Sequence, residues 1–307
     1  MHKYVIKRLL YMIPVLLGVA FLVFTILSLT PGDPGSIILG ITAKPEDIAA
    51  LNAEFGYDQP FLVRFFNYIG DIIFHFSLGT SYQTRQPVIE DIMARFPNTL
   101  LLTVFSMSIA SILGISLGIL SAVKQYSVLD HTLVVVALIF ASIPGFWLGL
   151  MLMLLFSLKL HWLPSYGAGS LKHFILPTLT VCMGSAAGLL RLTRSAMLET
   201  VRQEYIRTAK AKGVHKWTVI FKHALRNSLI PVITYAGPQI AYIITGSMIV
   251  ETIFTIGGIG SKFVSAITNR DYTMIMATTI FLATLMVAAT LICDLLYKLV
   301  DPRINYD

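Results

Sequence analysis

Residue types that often carry out chemistry occur in this sequence, but not at the spacing that catalysis or nucleotide binding requires. The glycine-rich stretch at residues 257–262, Gly-Gly-Ile-Gly-Ser-Lys, does not have the Gly-x-x-x-x-Gly-Lys-Ser/Thr spacing of a phosphate-binding loop. No His-Glu-x-x-His, Gly-x-Ser-x-Gly or paired-cysteine motif occurs either. We therefore predict no catalytic residue and no bound cofactor in this chain.

The scattered histidines and cysteines do not predict a metal site. His161 and His173 lie in one loop, but no carboxylate or thiol accompanies them there. Cys182 and Cys293 fall in apolar stretches, where an isolated thiol behaves as a small hydrophobic residue. We predict neither a metal site nor a disulfide.

A basic segment, residues 191–228, has the most informative pattern, with nine Lys/Arg and two Glu. Residues 195–212 contain no Gly or Pro and so favour a helix. Ala209 and Gly213 are four residues apart on one helical face. A partner backbone can therefore approach at Ala209, and the chain can turn at Gly213.

A second helical pattern follows the glycine. Apolar residues recur there at helical spacing among cations, and the predicted apolar face comprises Trp217, Ile220, Phe221, Ala224 and Leu225. Lipid headgroups or a partner protein could receive that face, and the pattern alone does not distinguish them.

The composition indicates that these segments are positioned by membrane-spanning helices. Of 307 residues, 56% are hydrophobic and only 13% are charged, whereas soluble domains are about a quarter charged. Too few polar residues remain to cover a soluble globule, which also argues against disorder and nucleic-acid binding. The net charge of +7 instead raises the question of which membrane face carries it.

Six uncharged apolar stretches are long enough to cross a bilayer as helices: residues 9–29, 99–123, 132–158, 174–190, 229–250 and 274–293. Residues 61–78 are aromatic but contain Arg64 and Asp71, each of which would cost roughly 2.5–3.5 kcal/mol at a span centre. We predict an amphipathic helix at the interface there. Within the spans, small residues recur every four positions from Ala110 to Ala122, a spacing that favours close intrachain packing.

The distribution of cations predicts the orientation. With six spans, the side that holds both termini carries 15 Lys/Arg, and the other side carries eight. We therefore predict cytoplasmic termini and an external segment at residues 30–98. The spans contain no ionisable residue, because Glu251 and Asp294 lie at their edges. This disfavours a proton-coupled carrier, so the energy for transport would come from another polypeptide.

Residues 204–213, Glu-Tyr-Ile-Arg-Thr-Ala-Lys-Ala-Lys-Gly, and 221–231, Phe-Lys-His-Ala-Leu-Arg-Asn-Ser-Leu-Ile-Pro, closely resemble the coupling loop of ABC importer permeases. Within that family they are most similar to the oligopeptide/dipeptide/nickel subgroup. The resemblance covers nearly the whole chain and includes residues 31–34, 78–82, 95–100, 142–149, 162–164 and 301–303. Aligned on Gly213, the Glu-Ala-Ala of the general motif falls on Arg207, Thr208 and Ala209, a departure that resembles the peptide subgroup.

The resemblance implies a loop that couples the chain to an ATPase. The residues it assigns to this role are Glu204, Tyr205, Arg207, Thr208, Ala209, Ala211, Lys212, Gly213, Trp217, Ile220, Phe221, His223, Ala224 and Arg226. It does not indicate which residues line the substrate pathway.

The resemblance also implies an all-α membrane protein with the type I ABC importer permease fold. Residues 1–98 would form the first span with an external insertion, and residues 99–307 a five-helix core. The implied partners in the bacterial inner membrane are a second homologous permease, two ATP-binding subunits that hold ATP and Mg²⁺, and an extracytoplasmic substrate-binding protein. The implied substrate is a peptide, with nickel, glutathione or another small solute as the alternative. Composition alone would also allow a stand-alone channel or a regulatory membrane anchor.

Overall fold

A computed structural model describes residues 2–40 and 42–300, and the side chains of residues 6–40, 42–235 and 237–293. These residues form helices and no strand. The helices of the N-terminal part are α1 (His2–Leu29), α2 (Pro34–Leu39), α3 (Pro45–Glu54), α4 (Phe61–His75) and α5 (Val88–Val123). The resemblance at residues 301–303 lies outside the described residues.

The remaining helices include three that depart from α geometry. The α-helices are α6 (Val128–Ser142), α7 (Gly145–Leu152), α8 (Ile175–Val201), α9 (Glu204–Ala211), α10 (Lys216–Thr218), α11 (Arg226–Ile253), α12 (Ile259–Thr268) and α13 (Tyr272–Val300). Two π-helical segments, Met153–Lys159 and Val219–Leu225, continue α7 and α10, and a 3-10 turn at Leu171–Phe174 precedes α8.

Among the described residues, four helical stretches are long and apolar enough to cross a membrane: Ile6–Leu29, Val88–Val123, Leu171–Val201 and Tyr272–Cys293. Two bent helix pairs pass the same test, Val128–Ser142 with Gly145–Lys159 and Lys216–Tyr235 with Gly237–Ile253. If each pair is one span, the total is the predicted six.

The span predicted at residues 132–158 is broken, and its two halves meet at an angle of 101°. The break is at Pro144, whose ring disfavours the helical conformation for the preceding residue, and Ile143 is extended at φ −75° and ψ 126°. The other bent pair turns by 44° beside Pro238, which removes a helical hydrogen bond.

The chain divides into two compact units, residues 1–97 with 257–287, and residues 98–256 with 288–307. In the first unit α4 packs on α1 through edge-on aromatic contacts, with Phe65 centred 5.2 Å from Phe21. Residues 61–75 are therefore helical as predicted, and their place at the membrane interface stays a prediction.

Hydrogen bonds to two carboxylates, those of Asp33 and Asp271, connect other parts of the first unit. The Asp33 carboxylate accepts hydrogen bonds from the Ser36 amide at 2.8 Å and from Asn52 Nδ2 at 2.7 Å, which ties α2 to α3. Buried Asp271, at the start of α13, accepts hydrogen bonds from the Ser81 hydroxyl and from the Tyr82 amide. The insertion between the first two spans is thus fixed to elements distant in sequence.

In the second unit α8 is the central helix, and it packs against α6, α7 and α11. The predicted close packing of small residues is confirmed: a Cβ added at Gly114 would lie 2.5 Å from Leu189 Cβ, and one at Gly118 would lie 2.6 Å from Thr193 Cβ. Cys182 is buried in a hydrophobic cluster of this unit, as predicted for a thiol that packs as a small hydrophobic residue. Glu251 lies in the last turn of α11, where it is fully buried and accepts a 2.8 Å hydrogen bond from the Thr99 hydroxyl.

Candidate functional site

The candidate site is the coupling segment, residues 191–228, which contains every residue that the sequence assigns to ATPase coupling. The helix predicted at residues 195–212 is interrupted, since α8 ends at Val201 and α9 begins after Gln203, which is extended. Burial explains the break. The turn sends α9 back beneath α8, so that Ile206 is fully buried against Met197 and Ile119.

The turn predicted at Gly213 is confirmed. Gly213 ends α9 with φ +75°, its amide donates to the Lys210 carbonyl at 3.0 Å, and the Val214 amide donates to the Ala209 carbonyl at 3.2 Å. This pair of bonds is the Schellman pattern of a helix C-terminus. A Cβ at Gly213 would meet nothing within 4 Å in this chain, so the backbone conformation, and not intrachain space, requires glycine here.

The predicted apolar face that follows the glycine is divided into two parts. Ile220 and Ala224 are buried in the cluster that contains Ile206 and Met197. Trp217 and Phe221 stay 55% and 51% exposed. Their rings stack on each other, with centroids 5.8 Å apart and an interplanar angle of 24°.

The predicted apolar face includes adjacent residues such as Ile220 and Phe221, which point about 100° apart around a helix. The face is therefore wide enough to contact the core of the chain and an outside partner at the same time. The core of the chain takes one side of the face. The other side presents a stacked aromatic pair to the outside of the chain.

Polar side chains of α9 and α11 divide in the same way between internal and outward contacts. The Tyr205 hydroxyl accepts a 2.6 Å hydrogen bond from Asn227 Nδ2, which joins the two helices. Arg207 pairs with Glu204 at 2.9 Å on the surface, and the Thr208 hydroxyl donates to the Glu204 carbonyl. The other assigned residues are either exposed (Ala211, Lys212, Gly213 and Arg226) or half-buried (Ala209 and His223).

The exposed aromatic pair is surrounded in sequence by exposed cations. Lys210, Lys212, Lys216, Lys222 and Arg226 all have exposed side chains. The outward side of the coupling segment therefore combines apolar rings with positive charge. Such a surface suits a partner with an apolar groove and acidic groups at its edge.

Sequence reasoning did not find the ion pair that supports this segment. Arg194 Nε and Nη2 donate to the two oxygens of Asp130 at 2.7 and 2.8 Å. The Ser121 hydroxyl and the Tyr126 amide complete the shell of this carboxylate, which is 2% exposed. The pair joins α6 to α8 a few residues before the coupling segment leaves the helix. Its partners are 64 residues apart in sequence, and no local pattern connects them.

Two family models together match nearly the entire chain. Residues 114–306 match the binding-protein-dependent transport system inner membrane component, and residues 1–103 match the N-terminal part of the same membrane component. The chain belongs to this family. It is therefore an inner-membrane permease component of an ABC importer, and the resemblance stated from the sequence is confirmed.

Curated relatives match this permease over their full length. It is 41% identical to the oligopeptide transport system permease protein AppB of Bacillus subtilis, with complete coverage of both chains. It is 41% identical to the glutathione transport system permease protein GsiC of Salmonella choleraesuis and 39% identical to the dipeptide transport system permease protein DppB of Alkalihalophilus pseudofirmus, again with complete coverage.

A solved structure supports the fold of the permease. A chain of the MetNI methionine ABC transporter, solved in an inward-facing conformation, aligns with a TM-score of 0.59 at 19% identity. The alignment covers 68% of this chain and 96% of the other. The predicted all-α importer permease fold is confirmed at this level.

Proposed function

We propose that this permease carries short peptides into the cytoplasm, driven by ATP that separate subunits hydrolyse. The observation that carries the proposal is full-length identity of 39–41% with permeases named for oligopeptide, dipeptide and glutathione transport. The partners would be a second homologous permease, two ATP-binding subunits that hold ATP and Mg²⁺, and an extracytoplasmic binding protein. The chain itself would hydrolyse nothing.

The coupling segment is proposed to dock on an ATP-binding subunit. The stacked Trp217 and Phe221 would enter an apolar groove of that subunit, and the exposed cations would face acidic groups around it. The buried side of the same segment, through Ile206 and Ile220, packs against α5 and α8. A shift of the docked surface would therefore reach the spans through packed side chains and through the Arg194–Asp130 pair.

The orientation completes the proposal, with both termini and residues 191–228 in the cytoplasm and residues 30–98 outside. Single cysteines at the exposed positions Asp58 and Lys212 test it in intact cells, because native Cys182 and Cys293 are buried. An impermeant thiol reagent should label Asp58→Cys and leave Lys212→Cys unlabelled until the cells are opened. The reverse result would overturn the orientation.

Uptake by the complete transporter tests the substrate. Proteoliposomes with the two permeases, the ATPases and the binding protein should accumulate labelled di- to pentapeptides when ATP is supplied on the ATPase side. Glutathione is the second candidate, favoured by the 41% identity with GsiC. ATP-dependent glutathione uptake that unlabelled peptides do not inhibit would replace the peptide assignment. No ATP-dependent uptake of either would contradict the proposed function.

A further inference from the structure

The first compact unit contains a cavity of about 790 Å³. Its wall comes from the end of α1, the end of α3 with the loop that follows it, one face of α4, residues 79–85 and the start of α13. This volume falls within the usual range of small-molecule sites, roughly 300–1,000 Å³. Thirteen of the nineteen lining residues belong to the insertion and the other six to α1 and α13, and no residue of the coupling segment lies in the wall.

Helix α4 turns its polar face to this cavity. Arg64, Asn67, Tyr68 and Asp71 all line it, and their i, i+3, i+4, i+7 spacing places them on one side of the helix. The two charges that argued against a membrane span thus lie in a cavity wall. At ~1.5 Å of rise per residue, seven residues separate Arg64 and Asp71 by about 10 Å along the axis.

The Arg64 guanidinium is positioned but not neutralised. Its Cζ lies 3.6 Å from the centroid of the Tyr57 ring and 5.5 Å from that of Phe24. Among the described side chains, those of residues 6–40, 42–235 and 237–293, none forms a hydrogen bond or ion pair with the Arg64 guanidinium. Rings hold its plane in place while its N–H donors stay available, an arrangement suited to a planar, bidentate acceptor such as a carboxylate.

The second arginine of the wall is already occupied and serves as a contrast. Arg85 lies 3.6 Å from Glu54 and 5.3 Å above the Phe55 ring. At the other end of the polar face of α4, Asp71 contacts His75 Nδ1 at 3.1 Å through one oxygen, and its side chain is 58% exposed. Among the described side chains, a cation without an ion-pair partner and an accessible carboxylate therefore line the same cavity, from positions about 10 Å apart along the helix axis.

We propose that this cavity binds a short peptide in its zwitterionic form, with the C-terminal carboxylate at Arg64 and the N-terminal ammonium near Asp71. An extended chain covers about 3.3–3.6 Å per residue, so a separation of about 10 Å corresponds to roughly three residues. The aromatic wall would receive side chains of differing size through apolar contact. The inference rests on the proposed function, because it takes the transported solute to be a peptide.

Binding to the purified full-length chain in nanodiscs of neutral lipid tests the site without any transport step. The probes are trialanine, N-acetyl-trialanine, trialanine amide and the doubly blocked peptide, measured by calorimetry. Trialanine should bind, and each blocked end should lower the affinity about tenfold or more, the usual worth of a hydrogen bond to a charged group. Equal binding of all four peptides, or no binding of trialanine, would overturn the proposal.

Variants assign the two ends of the peptide. Arg64→Gln should weaken trialanine about tenfold or more and leave trialanine amide unaffected, and Asp71→Asn should show the opposite preference. Arg64→Lys should restore part of the loss. Lys44→Gln and Asp47→Asn are matched controls, since both residues are exposed and lie outside the cavity wall. Normal trialanine affinity in Arg64→Gln would overturn the assignment. So would displacement of trialanine by anionic lipid in the wild-type chain but not in Arg64→Gln.

The two proposals fail in different ways. If the complete transporter imports peptides while the cavity variants keep normal trialanine affinity, the cavity assignment is wrong and the proposed function stands. If no peptide is imported, the proposed function fails whatever the binding experiment gives.

Discussion

The coupling segment and the insertion use the same residue types, aromatic rings beside charged groups, but place them in opposite ways. In the coupling segment, Trp217 and Phe221 stack on each other and face away from the chain. In the insertion, the Arg64 guanidinium lies over the ring of Tyr57 and near the ring of Phe24 from α1, and these rings face a cavity. The first arrangement suits a protein partner, and the second suits a small ligand.

The difference shows what decides the role of an amphipathic helix. Both α4 and the helices after Gly213 have a wide apolar stripe with charges beside it. The core takes Ile220 and Ala224, which leaves the aromatic rings outside. On α4 the apolar contact with α1 is made by Phe61 and Phe65, which leaves the polar face to line the cavity. Packing against neighbours therefore selects which face stays free.

The change with the largest expected effect is Gly213→Asp in the coupling segment. A side chain at φ +75° costs roughly 1–2 kcal/mol, and the new carboxylate would have to be desolvated at the proposed interface. ATP-driven uptake should fall to background and the ATPase subunits should no longer co-purify, while membrane insertion and trialanine binding stay normal.

Gly213→Asn separates strain from charge, because Asn tolerates the left-handed region and brings no charge. It should keep most of the uptake, whereas Gly213→Ala should lie between Asn and Asp. Normal uptake with ATPase co-purification in Gly213→Asp would make the segment an ordinary connector and remove the functional contrast with the insertion.

A smaller effect, on the free energy of unfolding of the chain, is expected from Asp130→Asn. The substitution keeps the shape of the side chain but leaves Arg194 without its carboxylate. Because the Arg194 side chain is 26% exposed and can still be hydrated, we expect a cost of about 1–3 kcal/mol. The free energy of unfolding, from denaturant titration of the chain in detergent, should fall by about that amount. The control is Glu204→Gln, which breaks the exposed pair with Arg207 and should cost less than about 1 kcal/mol. Equal effects of the two substitutions would show that the Asp130 pair does not support the coupling segment.

The sequence predicts much of this scaffold, and the failures have physical causes. Hydropathy finds the spans because apolar length alone decides them, and the Gly213 turn follows from local conformational preference. The size of the bend at Pro144, 101°, does not follow from the sequence, since proline in a span is compatible with a slight or a sharp bend. Long-range packing decides the rest: the buried Ile206 turns α9 back, and the Asp130–Arg194 pair and the insertion cavity join segments distant in the chain.

Removing the aromatic pair should affect association more than folding. Both rings are about half exposed, so Trp217→Ala with Phe221→Ala should change the free energy of unfolding by less than about 1 kcal/mol. If the rings enter a groove, affinity for the ATPase subunit should fall by about 2 kcal/mol or more, roughly 30-fold.

The measurement is titration of the purified ATPase subunit against the chain in nanodiscs. Tyr166→Ala, at a position 72% exposed outside the coupling segment, is the matched control and should leave the affinity unchanged. If the double variant instead loses only affinity for lipid vesicles, the aromatic pair docks on headgroups and the two regions differ less than proposed.

The smallest expected effect is on local stability, from a substitution at Asp33. It tests whether the insertion is stabilised independently of the coupling segment. Burial acts to raise the pKa of this carboxyl, but hydrogen bonds from Ser36 and Asn52 outweigh it and lower the pKa below its ordinary value. A lowered folded-state pKa means that the ionised form stabilises the fold above the unfolded pKa of about 3.9. This stabilisation is lost as the pH falls through the folded pKa.

Asp33→Ala should therefore speed amide exchange in peptides covering residues 34–54 at pH 7, consistent with a cap worth about 1 kcal/mol. The ratio of variant to wild-type exchange rates should begin to fall below about pH 4 and approach one only once the pH is below the lowered folded-state pKa of Asp33, where the wild-type carboxyl is protonated. Asp58→Ala is the control, as an exposed acid of the same insertion. Exchange at residues 204–213 should not change in either variant. If it rises together with that of residues 34–54, the two regions unfold as one, and the separate roles proposed for them would have to share a single conformational equilibrium.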